Sequence, residues 1–257
     1  MNNIVFHALR FTIPDNWYLP VDYQYSRIVG KLEDELLQLE TLISSKKRAI
    51  DIGANRGLYT YALAQVCEVV EAFEPQPSCT KAIAAYSKAF RKQINIHNCA
   101  LSSSRDELTL NIPVIRGRLR TTLSTGLASF QQPKCEYQSI QVPVHRLDDY
   151  DFQNVSFIKI DVEGHEREVI AGAKETITRE KPVLQVEIEQ RHLSGLPMQV
   201  IFDEIKSLGY SGYFLYEGQL TSLDKFAYEK HQKAFLEGAR SKAVNKIYVN
   251  NFIFKPC

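Results

Sequence analysis

The chain has 257 residues, 31 of them basic and 30 acidic, for a net charge of +1. That balance supplies no global attraction to nucleic acid or to an anionic membrane surface, and no apolar run approaches the ~20 residues of a membrane span. The five cysteines (Cys67, Cys79, Cys99, Cys135, Cys257) are scattered, odd in number and without a C-x-x-C pair, so they read as reduced packing residues of a cytoplasmic protein, with no zinc site. Ile4-Val5-Phe6 is too short for the apolar core of a signal peptide.

Residues 1–21 carry Phe6, Phe11, Trp17 and Tyr18 among Pro14 and Pro20, the composition of an irregular arm packed on the core. Its rings would also suit a sugar face, since aromatic side chains present broad apolar surfaces. Over 22–46, Leu32, Leu36, Leu39 and Ile43 fall at i, i+4, i+7 and i+11, which predicts a leading helix weakened at its start by Gly30. Strand one (48–53), a helix (57–66), strand two (68–75), a helix (78–91) and strand three (93–98) then alternate as in an α/β sheet. Ile83, Tyr86 and Phe90 supply the buried stripe of the second of these helices.

The passage from strand one into its helix, Asp51-Ile52-Gly53-Ala54-Asn55-Arg56-Gly57, is a tight turn that presents backbone N–H groups to a ligand. The dinucleotide fingerprint G-x-G-x-x-G does not fit, because Asn55 and Leu58 occupy the other two glycine positions. Asp51 near the strand's end suits a cation better than a phosphate, and S-adenosylmethionine carries a sulfonium and an ammonium. The bland alternative is an ordinary turn in which glycine supplies a permissive backbone. Glu74, at the end of strand two, is placed to accept bonds from ribose hydroxyls, a feature shared by nicotinamide and methyl-donor sites.

Between Leu101 and Ser156 the alternation breaks. Residues 107–112 and 137–142 alternate at period two, which predicts an antiparallel β insertion, with 102–150 acting as a lid. Arg116, Arg118 and Arg120 lie between them, either as a solvated basic loop or as a site for an anionic acceptor. Strand four (156–162) places Lys159, Asp161 and Glu163 on one side, and strand five (182–189) does the same with Gln185, Glu187 and Glu189. Charges in a sheet covered on both faces are costly unless paired. The expectation is a Lys159–Glu187 pair with Asp161 facing the cleft. Beyond them, a helix at 198–208, strands at 212–216 and 250–254 and a helical segment around 225–231 complete one domain, 1–257. The expected order is 3-2-1-4-5-7-6 with strand seven antiparallel.

In order and spacing, Asp-Ile-Gly-Ala-Asn-Arg-Gly-Leu-Tyr-Thr (51–60), Phe-Glu-Pro (73–75), Asn98-Cys99-Ala100-Leu101, Leu147-Asp148-Asp149, Lys159-Ile160-Asp161-Val162-Glu163-Gly164-His165-Glu166 and Val186-Glu187-Ile188-Glu189 resemble the FkbM family of S-adenosylmethionine-dependent methyltransferases. Lys-x-Asp-x-Glu-Gly-x-Glu is the most specific part. The resemblance implies a class I methyltransferase fold and O-methylation of a hydroxyl on a sugar, glycan or natural product. It implies donor binding by Asp51, Gly53, Ala54, Asn55, Gly57, Tyr59, Glu74, Pro75, Asn98, Ala100 and Asp161, with Asn98 beside the adenine unless it only forms a turn. Catalysis is assigned to Asp161, Glu163, Glu187 and Lys159. His165 occupies a variable slot and reads as a surface residue. Two rivals stand beside this reading. One is a metal-assisted O-methyltransferase using Asp161, Glu163, Glu187 and Glu189; the other is a nucleoside-binding module without chemistry. DNA base methylation lacks its Asn/Asp-Pro-Pro-aromatic segment after strand four.

Overall fold

A computed structural model describes residues 12–116, 121–123, 128–131, 135–237 and 248–257. Eight strands form the main sheet: β1 (Arg48–Ile52), β2 (Val69–Phe73), β3 (Gln93–His97), β8 (Val155–Ile160), β9 (Val183–Glu187), β10 (Tyr210–Tyr216), β11 (Gln219–Ser222) and β12 (Asn251–Pro256). From one edge they run β3-β2-β1-β8-β9-β12-β10-β11. The first five are mutually parallel, and β12 pairs antiparallel with both β9 and β10. Strand β11 is an eighth strand beyond the seven expected. It folds back on β10 through Glu217-Gly218, both with positive φ, the backbone a two-residue hairpin turn requires.

Helices α2 (Leu58–Val66) and α3 (Lys81–Phe90) cover one face with α1 (Asp15–Ile28), while α4 (Glu166–Gly172), α5 (Lys174–Glu180) and α6 (Met198–Ser207) cover the other. Ile50, Ile52, Ile158 and Ile160 point to the second face, Ala49, Ala72 and Phe157 to the first, as the period of two demands. The leading helix expected over 22–46 is corrected. α1 starts at Asp15, directly after Pro14, and ends at Ile28 because Gly30 turns the chain. Leu36, Leu39 and Ile43 are buried nonetheless, from two single helical turns at Asp34–Leu37 and Leu39–Leu42. The segment expected to be helical near 225–231 is a 3₁₀ turn (Leu223–Lys225) followed by a π turn (Glu229–Lys233).

The insertion is a small sheet of β4 (Ala100–Leu101), β5 (Asp106–Arg116), β6 (Thr121–Leu123) and β7 (Tyr137–His145), ordered β4-β7-β5-β6. Strands β5 and β7 are antiparallel, Leu110 opposite Ile140, and their inner face joins Ala100, Val142 and Val144 in a separate apolar cluster. Among the described residues no helix is long and apolar enough to cross a membrane.

Candidate active site

The sheet reverses its direction of growth between β1 and β8, and a cleft of about 630 Å³ opens at the carboxyl ends of the strands there, where ligands of such sheets bind. Of the residues expected at the site, Gly53, Asn55, Glu74, Pro75, Ala100, Asp161 and Glu163 line it. The rest of its wall is largely apolar: Ile52, Phe73, Leu101, Leu110, Ala128 and Phe130. Gly53 is obligatory. Its φ is +81°, and a Cβ there would stand 1.8 Å from the carbonyl oxygen of Asp161, so β1 and β8 approach each other without room for a side chain.

The turn after β1 spends its N–H groups on the protein. Gly53 and Ala54 both donate to the Phe73 carbonyl at 3.0 Å, and Gly57 N–H donates to Ala54 O at 2.8 Å as it starts α2. Asn55 N–H donates to Glu74 Oε2 at 2.8 Å and Gln76 N–H to Glu74 Oε1 at 2.9 Å, which fixes the Glu74 carboxylate at the end of β2. Burial pushes the Glu74 carboxyl upward, opposed by those two N–H groups. Five residues expected at the donor site, Ala54, Gly57, Tyr59, Asn98 and Asp51, do not line the cleft. The turn geometry consumes the first two. Asn98 donates to the Glu74 carbonyl at 3.1 Å and to Thr80 Oγ1 at 3.3 Å, holding the end of β2 from behind. Tyr59 lies under the sheet, its hydroxyl donating to Glu33 and accepting from Gln185 Nε2 at 2.7 Å.

Asp51 is enclosed as well. Its Oδ2 accepts from Thr60 Oγ1 at 2.6 Å, and burial raises its pKa against the pull of Lys159. The expected Lys159–Glu187 pair is corrected by register. Lys159 stands opposite Asp51 on β1 and Gln185 on β9, so Glu187 lies one pleat farther along. Lys159 Nζ instead pairs with Asp161 Oδ2 at 2.8 Å, with its ammonium 4.5 Å from the centroid of the Tyr59 ring. Burial works to lower the Lys159 pKa, but Asp161 and Asp51 outweigh it and hold it above the ordinary range. Glu187 accepts from Asn250 Nδ2 at 2.7 Å, and burial, reinforced by Asp161, pushes its pKa up to about 9. It therefore carries its proton at neutral pH.

After Asp161 the chain turns through Glu163 (φ +55°) and Gly164 (φ +97°). Glu166 Oε1 accepts from Gly164 N–H at 2.9 Å and closes this loop. Glu163 Oε2 lies 3.0 Å from Nδ1 of His192, in the turn after β9. Sequence reading missed His192, Gln131 and Phe130. A lone histidine outside any motif and two residues within an irregular insertion carry no period or spacing that would select them. His165 is half-buried rather than on the surface, bonded to Ser102 Oγ at 2.9 Å and edge-on to Phe130. Arg118 and Arg120 lie outside the described residues, and Arg116 ends β5.

The four acids weighed for a hard cation each have a protein partner: Asp161 has Lys159, Glu163 has His192, Glu187 has Asn250, and Glu189 has Arg191 and Tyr248. Among the described residues no group of three or more His, Cys, Asp or Glu converges as a metal site would.

The sequence profile of the methyltransferase FkbM domain matches residues 51–211. The chain is similar to the 2-O-methyltransferase NoeI of Sinorhizobium fredii (strain NBRC 101917 / NGR234), 36% identical over 93 residues, 31% of this chain and 38% of that protein. In structure it is similar to the methyltransferase FkbM from Methylobacillus flagellatus KT, with a TM-score of 0.53 at 16% identity, covering 93% of this chain and 52% of that one. An rRNA methylase from Streptococcus thermophilus aligns with a TM-score of 0.44 at 11% identity, over 87% of this chain and 95% of that one. The chain thus spans 38% of NoeI and 52% of the Methylobacillus protein.

Proposed function

The chain belongs to the FkbM methyltransferase family, and from that premise we propose that it transfers the methyl group of S-adenosylmethionine to a hydroxyl of a small molecule or glycan. The observation that carries the reading is the charge of the cleft. Its described lining holds three carboxyl side chains, Glu74, Asp161 and Glu163, and neither lysine nor arginine. A dinucleotide would bring its pyrophosphate against like charge, whereas a sulfonium and an ammonium meet opposite charge. The apolar wall suits a heterocycle, so the residues present fit the donor.

In this reading Glu74 holds the ribose hydroxyls, Phe73, Ala100 and Leu101 with Phe130 enclose the adenine, and Asp161 faces the cationic end. S-adenosylmethionine, when bound, supplies an electrophilic methyl group on a positively charged sulfur. Lys159 ties down one oxygen of Asp161, leaving the other to orient the incoming hydroxyl. Alignment of this kind supplies much of the rate in a displacement. Oxygen as the methylated atom follows NoeI, a 2-O-methyltransferase by name.

Calorimetry should show binding of S-adenosylhomocysteine, with Glu74→Ala weaker by about 1–3 kcal/mol as ribose bonds are lost. Equal affinity for NAD would sink the donor assignment. Turnover is then assayed as release of S-adenosylhomocysteine on a panel of methyl glycosides, secondary-metabolite alcohols and an RNA oligonucleotide. Methylation confined to the RNA would overturn the acceptor class, and binding without any turnover would leave a nucleoside-binding module. Activity abolished by chelator and restored by Mg²⁺ would recast Asp161 as a metal ligand.

A further inference from the structure

Glu163, in the cleft wall, is paired with His192, which stands behind that wall, and three separate segments hold the two together, one of them outside any motif. Glu163 follows β8 and lines the cleft; His192 follows β9, the parallel neighbour of β8. Both leave the carboxyl edge of the sheet, the edge at which such folds bind their ligands. Both partners are fixed by the backbone around them. Glu163 holds a left-handed conformation that few non-glycine residues adopt. Gly164 has no space for a Cβ, which would come within 2.5 Å of the His192 carbonyl oxygen. From the insertion, Gln131 Nε2 donates to that same carbonyl at 2.5 Å, and Ser129 Oγ donates to the Glu163 carbonyl at 2.8 Å.

A carboxylate 3.0 Å from Nδ1 selects the tautomer with the proton on Nδ1 and the lone pair on Nε2. Among the described residues no hydrogen bond reaches Nε2, and the His192 side chain is 24% exposed. The neighbouring acids are less suited to take a proton: Asp161 is committed to Lys159, and Glu187 already holds its own at neutral pH.

We propose that His192 accepts the proton of the acceptor hydroxyl through Nε2, with Glu163 orienting the ring and balancing the imidazolium. The inference rests on the methyl-transfer reading above. The acceptor oxygen bonds to the methyl carbon, the carbon–sulfur bond breaks with its electron pair left on sulfur, and the hydroxyl proton passes to Nε2 and from there to water. Glu163, through its hydrogen bond, raises the His192 pKa; burial opposes it, Glu189 adds to it and Arg191 subtracts.

Nitrogen-15 NMR of histidine-labelled protein, assigned through His192→Gln, reads the tautomer and titration without donor or acceptor. The neutral ring should carry its proton on Nδ1, and Glu163→Gln should lower its pKa. With a methyl glycoside accepted in the panel, the acid limb of kcat should rise through the NMR pKa and move to lower pH in Glu163→Gln. His192→Gln should lose about 10²-fold or more in kcat at unchanged S-adenosylhomocysteine affinity. A neutral ring protonated on Nε2, an acid limb that stays while the NMR pKa moves, or near-normal turnover by His192→Gln overturns the proposal. A wild type with the expected NMR behaviour that binds donor but methylates nothing would overturn the methyl-transfer reading instead.

Discussion

At Lys159 a single ammonium, 3% exposed, lies beside Asp51 and Asp161 and over the ring of Tyr59. Removing it leaves two carboxyl groups in the sheet without their cation. Breaking a buried pair from one side costs about 3–5 kcal/mol, so Lys159→Met should lose stability of that order in urea unfolding at pH 7. Glu187→Gln is the informative contrast. With its pKa at about 9, Glu187 is already neutral at pH 7, and the amide reproduces its charge and shape. Its unfolding free energy should change by less than about 1 kcal/mol. Comparable losses in the two variants would restore the Lys159–Glu187 pair that the sequence predicts.

Among the elements, the insertion reaches the main sheet both through Leu101 in the large apolar cluster and through polar contacts of Ser129 and Gln131. Its own apolar cluster is small, yet Ala128 and Phe130 form part of the cleft wall. Gln131 bridges the loop after β8 and the turn after β9, through Gly164 O at 3.5 Å, His192 O at 2.5 Å and Ser194 Oγ at 3.0 Å. Truncating that amide frees the 128–131 segment from the turn after β9, while Ser129 still holds the loop after β8 and the main core stays intact. Gln131→Ala should weaken S-adenosylhomocysteine binding by about 1–2 kcal/mol, with a smaller change in unfolding free energy. Calorimetry paired with urea unfolding decides it. A loss of stability with donor affinity intact would show that the bridge serves the fold alone.

Over the whole molecule, buried acids set how stability depends on pH. Burial raises Glu35 and Glu166 to about 7 and Glu187 to about 9, each from an ordinary value of 4.5. The folded chain therefore holds protons that the unfolded chain releases. Their stabilising effect is complete below the unfolded value and is lost as pH rises, through about 7 for the first two and about 9 for the third. Melting temperature should fall between about pH 5 and pH 9, and Glu187→Gln should flatten the upper part of that fall. A melting temperature that climbs steadily over this range would refute the assignment.

Alternation of period-two and helical segments determined the α/β architecture from the sequence alone, because side-chain periodicity is a property of the local backbone. The same reading found Gly53, Glu74 and Asp161, whose positions at strand ends follow from that alternation. Local periodicity does not say which residue stands opposite which. The partner of Lys159 depends on the register between β8 and β9, and a shift of one pleat separates Glu187 from Asp161 as its counter-ion. The enclosure of Asp51 and Tyr59 likewise depends on where α2 settles against the sheet. His192 reaches Glu163, and Phe130 reaches the cleft, only because parallel strands align their carboxyl ends and the insertion folds back over them. These encounters join residues distant in the chain, so tertiary packing alone decided them.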